Sequence, residues 1–183
     1  MNVVSVFGGS TPVEGSPAYG DARRLGRLLA EVGFTVATGG YSGVMEATSR
    51  GAAEAGGHVI GVTCTHLESN FGRPGANRWV AEEIRYVSLR ERLNHLVENC
   101  DAAIALPGGI GTLSEVALTW SLLQTREIRL KPFDVVGDAW QAALANFYRL
   151  ADGYVAAEHW RLIHFAPSVE ATCEAVARAL KEP

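Results

Sequence analysis

Short β-branched runs alternate with longer helical patterns along this chain, and three of the runs end in glycine turns. Apolar runs at Val3 to Phe7, Phe34 to Ala37, His58 to Val62, Ile84 to Val87, Ala102 to Leu106, Phe133 to Val136 and Leu162 to Phe165 read as strands. Between them, Ala18 to Val32, Val44 to Ala55, Leu89 to Asn99, the stretch after Pro107 to about Gln124, Ala139 to Leu150 and Val169 to Lys181 carry helical spacing. Gly56-Gly57 is a helix stop, and Ser88 is placed to cap the helix that follows it. Strand-helix alternation at this spacing demands right-handed βαβ units, hence a parallel sheet covered on both faces. A chain of 183 residues with no composition break suits one domain. The expected fold is α/β: a single Rossmann-like domain over 1–183, a parallel sheet with helices on both faces.

The turns at Gly8-Gly9-Ser10, Gly39-Gly40-Tyr41-Ser42-Gly43 and Gly108-Gly109-Ile110-Gly111 all follow strands. In a parallel sheet they gather at its carboxyl edge, where α/β proteins bind ligands. Glycine lets a backbone approach a ligand with no Cβ in the way. A helix that starts there aims unpaired N–H groups and the positive end of its dipole at an anion. The candidate phosphate-binding residues are therefore Gly8, Gly9, Ser10, Gly39, Gly40, Ser42, Gly43, Gly108, Gly109, Ile110, Gly111 and Thr112. None of the turns matches the dinucleotide fingerprint GxGxxG or the P-loop GxxxxGK[ST].

Pro107 to Glu115 is the most specific of the three segments. Glu115 lies one turn into its helix, near whatever the turn holds. Its spacing from Thr112 is also that of a capping box, in which Thr112 caps the helix and Glu115 returns a hydrogen bond. Glu46, near another helix start, either complements that helix dipole or lines the same cleft with Ser42. Arg90, Glu91 and Arg92 open the helix before the motif strand. A cation there opposes the helix dipole, so one of these arginines is expected to turn toward an anion or toward Glu115. The segment Thr63 to Arg78, with Gly72, Pro74 and Gly75, is irregular and reads as a lid or binding loop.

Other chemistries find less support. A net charge of −4 gives no general field for nucleic acid or an anionic membrane. Of the 16 lysines and arginines only Lys131 and Lys181 are lysines, and neither lies at a glycine turn, as a pyridoxal phosphate enzyme would need. Cys64, Cys100 and Cys173 form no CxxC pattern, which speaks against a disulfide framework and for a cytoplasmic setting. The five histidines show no metal-ligand spacing, so no metal is expected. The N-terminus lacks the features of a signal peptide, and no apolar run approaches the ~18 residues that span a bilayer.

Pro107 to Glu115 matches the PGGxGTxxE signature of the Lonely Guy (LOG) proteins, long labelled possible lysine decarboxylases, at every fixed position. Thr38 to Glu46 approximates the second signature, GGGxxGLMG, and Phe7-Gly8-Gly9-Ser10 resembles the first nucleotide-binding loop. Ala53 to Val62 is also similar to family members. The resemblance covers about residues 3 to 150 and implies a nucleoside 5′-monophosphate phosphoribohydrolase, which releases free base and ribose 5-phosphate. It implies catalytic roles for Glu115 and for Arg92, because Leu89-Arg90-Glu91-Arg92-Leu93 aligns on the MHxRK helix. It also implies a nucleotide-type ligand, no cofactor, and a homodimer or higher homo-oligomer through the helices at Leu89 to Asn99 and Thr112 to Gln124. The departures are Leu89-Arg90 for Met-His, Leu93 for lysine, Glu46 for glycine, and a short step from Glu115 to Thr119-Trp120. They resemble a divergent branch of a superfamily that includes molybdenum-cofactor carrier proteins. A non-catalytic carrier or sensor of a phosphorylated ligand is the alternative that this resemblance implies.

Overall fold

A computed structural model describes residues 1–72, 75–151 and 153–181. Seven strands form one sheet: β1 (Val3–Phe7), β2 (Thr35–Thr38), β3 (Val59–Cys64), β4 (Glu82–Tyr86), β5 (Ala102–Ala105), β6 (Phe133–Val136) and β7 (His164–Ala166). Every pairing is parallel, in the order β4-β3-β2-β1-β5-β6-β7. The connecting helices are α1 (Pro17–Glu31), α2 (Val44–Glu54), α3 (Thr65–Phe71), α4 (Leu89–Glu98), α5 (Ile110–Thr125), α6 (Asp138–Leu150), α7 (Ala157–Trp160) and α8 (Val169–Lys181). The Rossmann-like α/β expectation holds, with boundaries shifted by one or two residues at most elements.

Side chains alternate across a strand with a period of two, and this divides the core in two. Val4 and Val6 of β1, Val36 of β2, and Ala102 and Ile104 of β5 pack against Leu25, Leu29, Val44, Ala47 and Val176 of α1, α2 and α8. Phe7, Ala103, Ala105, Phe133 and Val135 point the other way, onto Leu96, Val116, Trp120, Leu123 and Trp140 of α4, α5 and α6. Both faces of β1, β2, β3, β5 and β6 are covered, so these strands are buried nearly throughout rather than on alternate residues, whereas the edge strand β4 has no buried residue.

Two local devices fix the elements that carry the site. α1 and α2 pack so closely that a Cβ on Gly26 would stand 2.0 Å from the Thr48 carbonyl oxygen, and one on Gly51 would stand 1.8 Å from that of Arg23. Glycine is unfavourable inside a helix; here it lets two backbones touch. At the start of α4, the Ser88 hydroxyl accepts from the Glu91 N–H and the Glu91 carboxylate accepts from the Ser88 N–H. That capping box sets the first turn of the helix bearing Arg92.

One expectation for residues 63–78 is corrected. β3 continues to Cys64 and a short helix, α3, follows directly. None of the residues of α3 is buried, so no apolar stripe announced it. Pro74 lies outside the described residues. No helix is long and apolar enough to cross a membrane among the described residues.

Candidate functional site

The strand order reverses between β1 and β5, and a ligand crevice in an open parallel sheet lies at the carboxyl ends of the strands flanking such a reversal. The turns after these two strands are tied together: the Gly9 N–H donates to the Pro107 carbonyl at 3.1 Å. The turn after β2 joins them, with the Val44 N–H donating to the Gly9 carbonyl at 2.9 Å. A cleft of about 300 Å³ opens where the three meet, walled by Gly8, Gly9, Ser10, Gly109, Ile110, Gly111 and Thr112, with Arg92 and Glu115 reaching into it.

The glycines divide into two sets. A Cβ on Gly8 would meet the Val44 side chain at 2.3 Å, one on Gly108 the Thr112 hydroxyl at 2.1 Å, and one on Gly43 the Gly9 carbonyl oxygen at 2.5 Å. Gly43 also has a φ of +72°, which L side chains rarely adopt. These residues let the turns close on each other. Gly40 packs against Gly61 and Thr63, and Gly39 makes room for Arg92, whose Nη2 would lie 1.8 Å from an added Cβ. Gly109 and Gly111, by contrast, face open space. So Gly39, Gly40, Gly43 and Gly108 do not line the cleft, and Ser42 lines a neighbouring cavity instead.

The capping-box expectation for Thr112 and Glu115 is overturned. α5 starts two residues before Thr112, with Gly109 as the N-cap and no side-chain capping bond. Thr112 therefore sits inside the first turn, and Glu115 sits in the second, buried at 7% exposure. The Glu115 carboxyl lies 3.6 Å from Arg92 Nη1. Burial pushes its pKa up to about 7, although the Arg92 charge pulls the other way.

Arg92 is itself buried and held on several sides. Its Nε donates to the Val62 carbonyl at 2.9 Å, Nη2 lies 3.8 Å from the Met45 sulfur, and the guanidinium stands 5.7 Å from the Tyr41 ring centroid. The arginine expected to turn toward Glu115 is thus Arg92, while Glu91 caps its own helix and Arg90 is exposed. Sequence reasoning missed Thr11, Tyr41, Met45, Leu67 and Leu89 of the cleft wall. Tyr41 and Met45 lie within or next to the second glycine turn, and that proximity was the available signal. Leu67 comes from α3, which gave none.

A parallel sheet with glycine turns gathered at its point of reversal, over a buried carboxyl and guanidinium, defines a Rossmann-like α/β protein with a cleft at the carboxyl edge of its sheet. The chain belongs to the SLOG cluster4 family, whose model matches residues 1–130. It is 33% identical over 171 residues to a probable cytokinin riboside 5′-monophosphate phosphoribohydrolase, LOGL5, of Oryza sativa subsp. japonica, covering 90% of this chain and 67% of the relative. It is 35% identical over 161 residues to the phosphoribohydrolase LOG of the same plant, covering 82% and 63%. Among solved structures, the molybdenum cofactor carrier protein of Chlamydomonas reinhardtii superposes with a TM-score of 0.74 at 27% identity, covering 99% of both chains.

Proposed function

We propose that this chain hydrolyses the N-glycosidic bond of a nucleoside 5′-monophosphate. The observation that carries the reading is the Glu115–Arg92 pair, buried beside the open start of α5. The N–H groups around Gly109 to Thr112 hold the 5′-phosphate at the positive end of the helix dipole. The ribose then lies over Glu115. As the C1′–N bond breaks, its electron pair leaves with the base, and positive charge develops on the sugar. The Glu115 carboxylate stabilises that charge and accepts a proton from the water that attacks C1′; the departing base takes up a proton from solvent, and Glu115 returns its own to solvent, so one water is consumed overall. Arg92 orients the carboxylate and offsets its charge. Relatives bearing the name phosphoribohydrolase support this reading.

The test follows base release from AMP, GMP and cytokinin ribotides by purified protein. Release that disappears in Glu115→Gln supports the proposal; no release from any of them, with wild type and variant alike, sinks it. A carrier of a phosphorylated ligand is the second reading, supported by the end-to-end match to the carrier structure. Mass spectrometry of ligand co-purifying with the protein separates the two, since a pterin-sized mass favours the carrier. We further propose that a second copy covers the exposed Leu89, Ile110 and Leu113 on α4 and α5; light scattering at the mass of one chain would refute this.

A further inference from the structure

A second cavity, of about 310 Å³, adjoins the cleft and shares Tyr41 as a wall. Ser42, Glu46, Asn77 and Arg78 also line it. Most of its polar groups are already committed. The Asn77 amide donates to the carbonyls of Gly40 and Tyr41, both at 3.0 Å, and its oxygen accepts from the Trp79 N–H at 3.1 Å. The Tyr41 hydroxyl accepts from the Cys64 N–H at 2.9 Å and lies 3.1 Å from the Cys64 carbonyl. The Ser42 hydroxyl donates to the Ser10 carbonyl. These bonds build a fixed wall and leave two charged side chains to meet an occupant. Glu46 lies in the first turn of α2, whose N-cap Gly43 makes no side-chain capping bond, and Arg78 stacks 4.6 Å from the Trp79 ring centroid. Neither charge forms an ion pair among the described residues. Glu46 also stands where the LOG signature has glycine, so this chain adds a carboxylate to a position that otherwise lacks a side chain.

We propose that this cavity binds the heterocycle of the ligand and reads a 2-amino-4-oxopyrimidine edge, as carried by guanine and by pterins. The inference rests on the reading of the neighbouring cleft as the phosphate site. A carboxylate offers two acceptors side by side, matched to adjacent ring N–H and amino donors. A guanidinium offers donors to the neighbouring carbonyl oxygen. Adenine presents the reverse order: a bare ring nitrogen faces the carboxylate, and an amino group stands where Arg78 needs an acceptor. Glu46 is partly buried and Arg78 exposed, so such a mismatch leaves the half-buried carboxylate without its donors and sets an amino group against the guanidinium, which is where base discrimination arises.

Calorimetric titration of the full chain with ribose 5-phosphate, GMP, IMP, AMP and a 6-hydroxymethylpterin phosphate tests this. Ribose 5-phosphate has no base and reports the cleft alone. GMP is expected to bind about tenfold more tightly than AMP, with IMP, which lacks the amino group, between them. In Glu46→Gln, which keeps the shape but turns one acceptor into a donor, the GMP advantage disappears. Glu46→Gly, the residue of the family signature, gives the same collapse without a new donor. A pterin phosphate that binds more tightly than GMP, with the same dependence on Glu46, assigns the edge to a pterin. Equal affinities for GMP, IMP and AMP, with ribose 5-phosphate still bound, overturn the inference and leave the cleft reading intact. No binding of ribose 5-phosphate removes the cleft reading and this inference together.

Discussion

The glycines that shut the turns onto each other and the glycines that open the start of α5 look alike in sequence but obey different constraints. Gly8, Gly43 and Gly108 are needed because backbone or side chain already fills the space a Cβ would take. Gly109 and Gly111 have nothing within 4 Å of that position. The first set serves the closure of the turns, with Gly8 also bordering the cleft. The second meets no protein atom that excludes a side chain, which fits a surface kept clear for a ligand. On the closed side a substitution should lower stability and take the site with it; on the open side stability and function should move independently.

Gly43→Ala tests the closed side hardest. Its positive φ and its 2.5 Å approach to the Gly9 carbonyl oxygen predict a loss of about 3 kcal/mol or more in urea unfolding. A loss below about 1 kcal/mol would break the distinction between the two sets. Glu115→Gln comes next and should act in the opposite sense. The folded chain holds a proton on Glu115 up to about pH 7, whereas the unfolded chain releases it near the ordinary value of 4.5. Native protein thus binds more protons, so wild-type stability is fullest below pH 4.5 and falls as pH rises to 7. The variant lacks this slope, and relative to wild type it gains about 3 kcal/mol across that window in denaturation curves. Base release falls by about 10²-fold or more in the same variant. In wild type the ionised carboxylate is the working form of the proposed reaction, so release is expected to rise with pH through about 7.

Asn77→Ala probes the wall between the two cavities. It removes two bonds to the second glycine turn and one to the Trp79 N–H, and should cost about 2 kcal/mol by thermal unfolding. Gly111→Ala is the mildest and the most informative. In an open helical position alanine should stabilise by about 0.5–1 kcal/mol, while its methyl group intrudes on the cleft and weakens ribose 5-phosphate binding. Unchanged affinity would show that the anion sits elsewhere.

Much of the fold was legible because buried parallel strands are apolar runs and glycine turns punctuate them. α3 was not, since nothing in it is buried and a helix needs an apolar stripe to be seen in sequence. At the candidate site, strand-end glycines pointed to the edge of the sheet where the cleft opens, and the cationic first turn of α4 pointed to Arg92. What sequence could not show was which glycines face each other, because that depends on contacts between turns separated by dozens of residues. The Thr112–Glu115 spacing misled for a related reason. It fits a capping box, but the helix begins two residues before Thr112, at Ile110, and an offset of that size turns a capping residue into a buried one.

The crossing of α1 and α2 at Gly26 and Gly51 has a genetic consequence. These residues do not line the cleft, yet their backbone contact fixes the path of α2, and with it Gly43, Met45 and Glu46 at its beginning. A mutational scan selected on activity should therefore mark both as intolerant, as if they belonged to the site. A parallel scan selected on abundance would mark them too, while sparing Glu115. The overlap of the two maps would separate the residues that hold the site in place from those that do its chemistry.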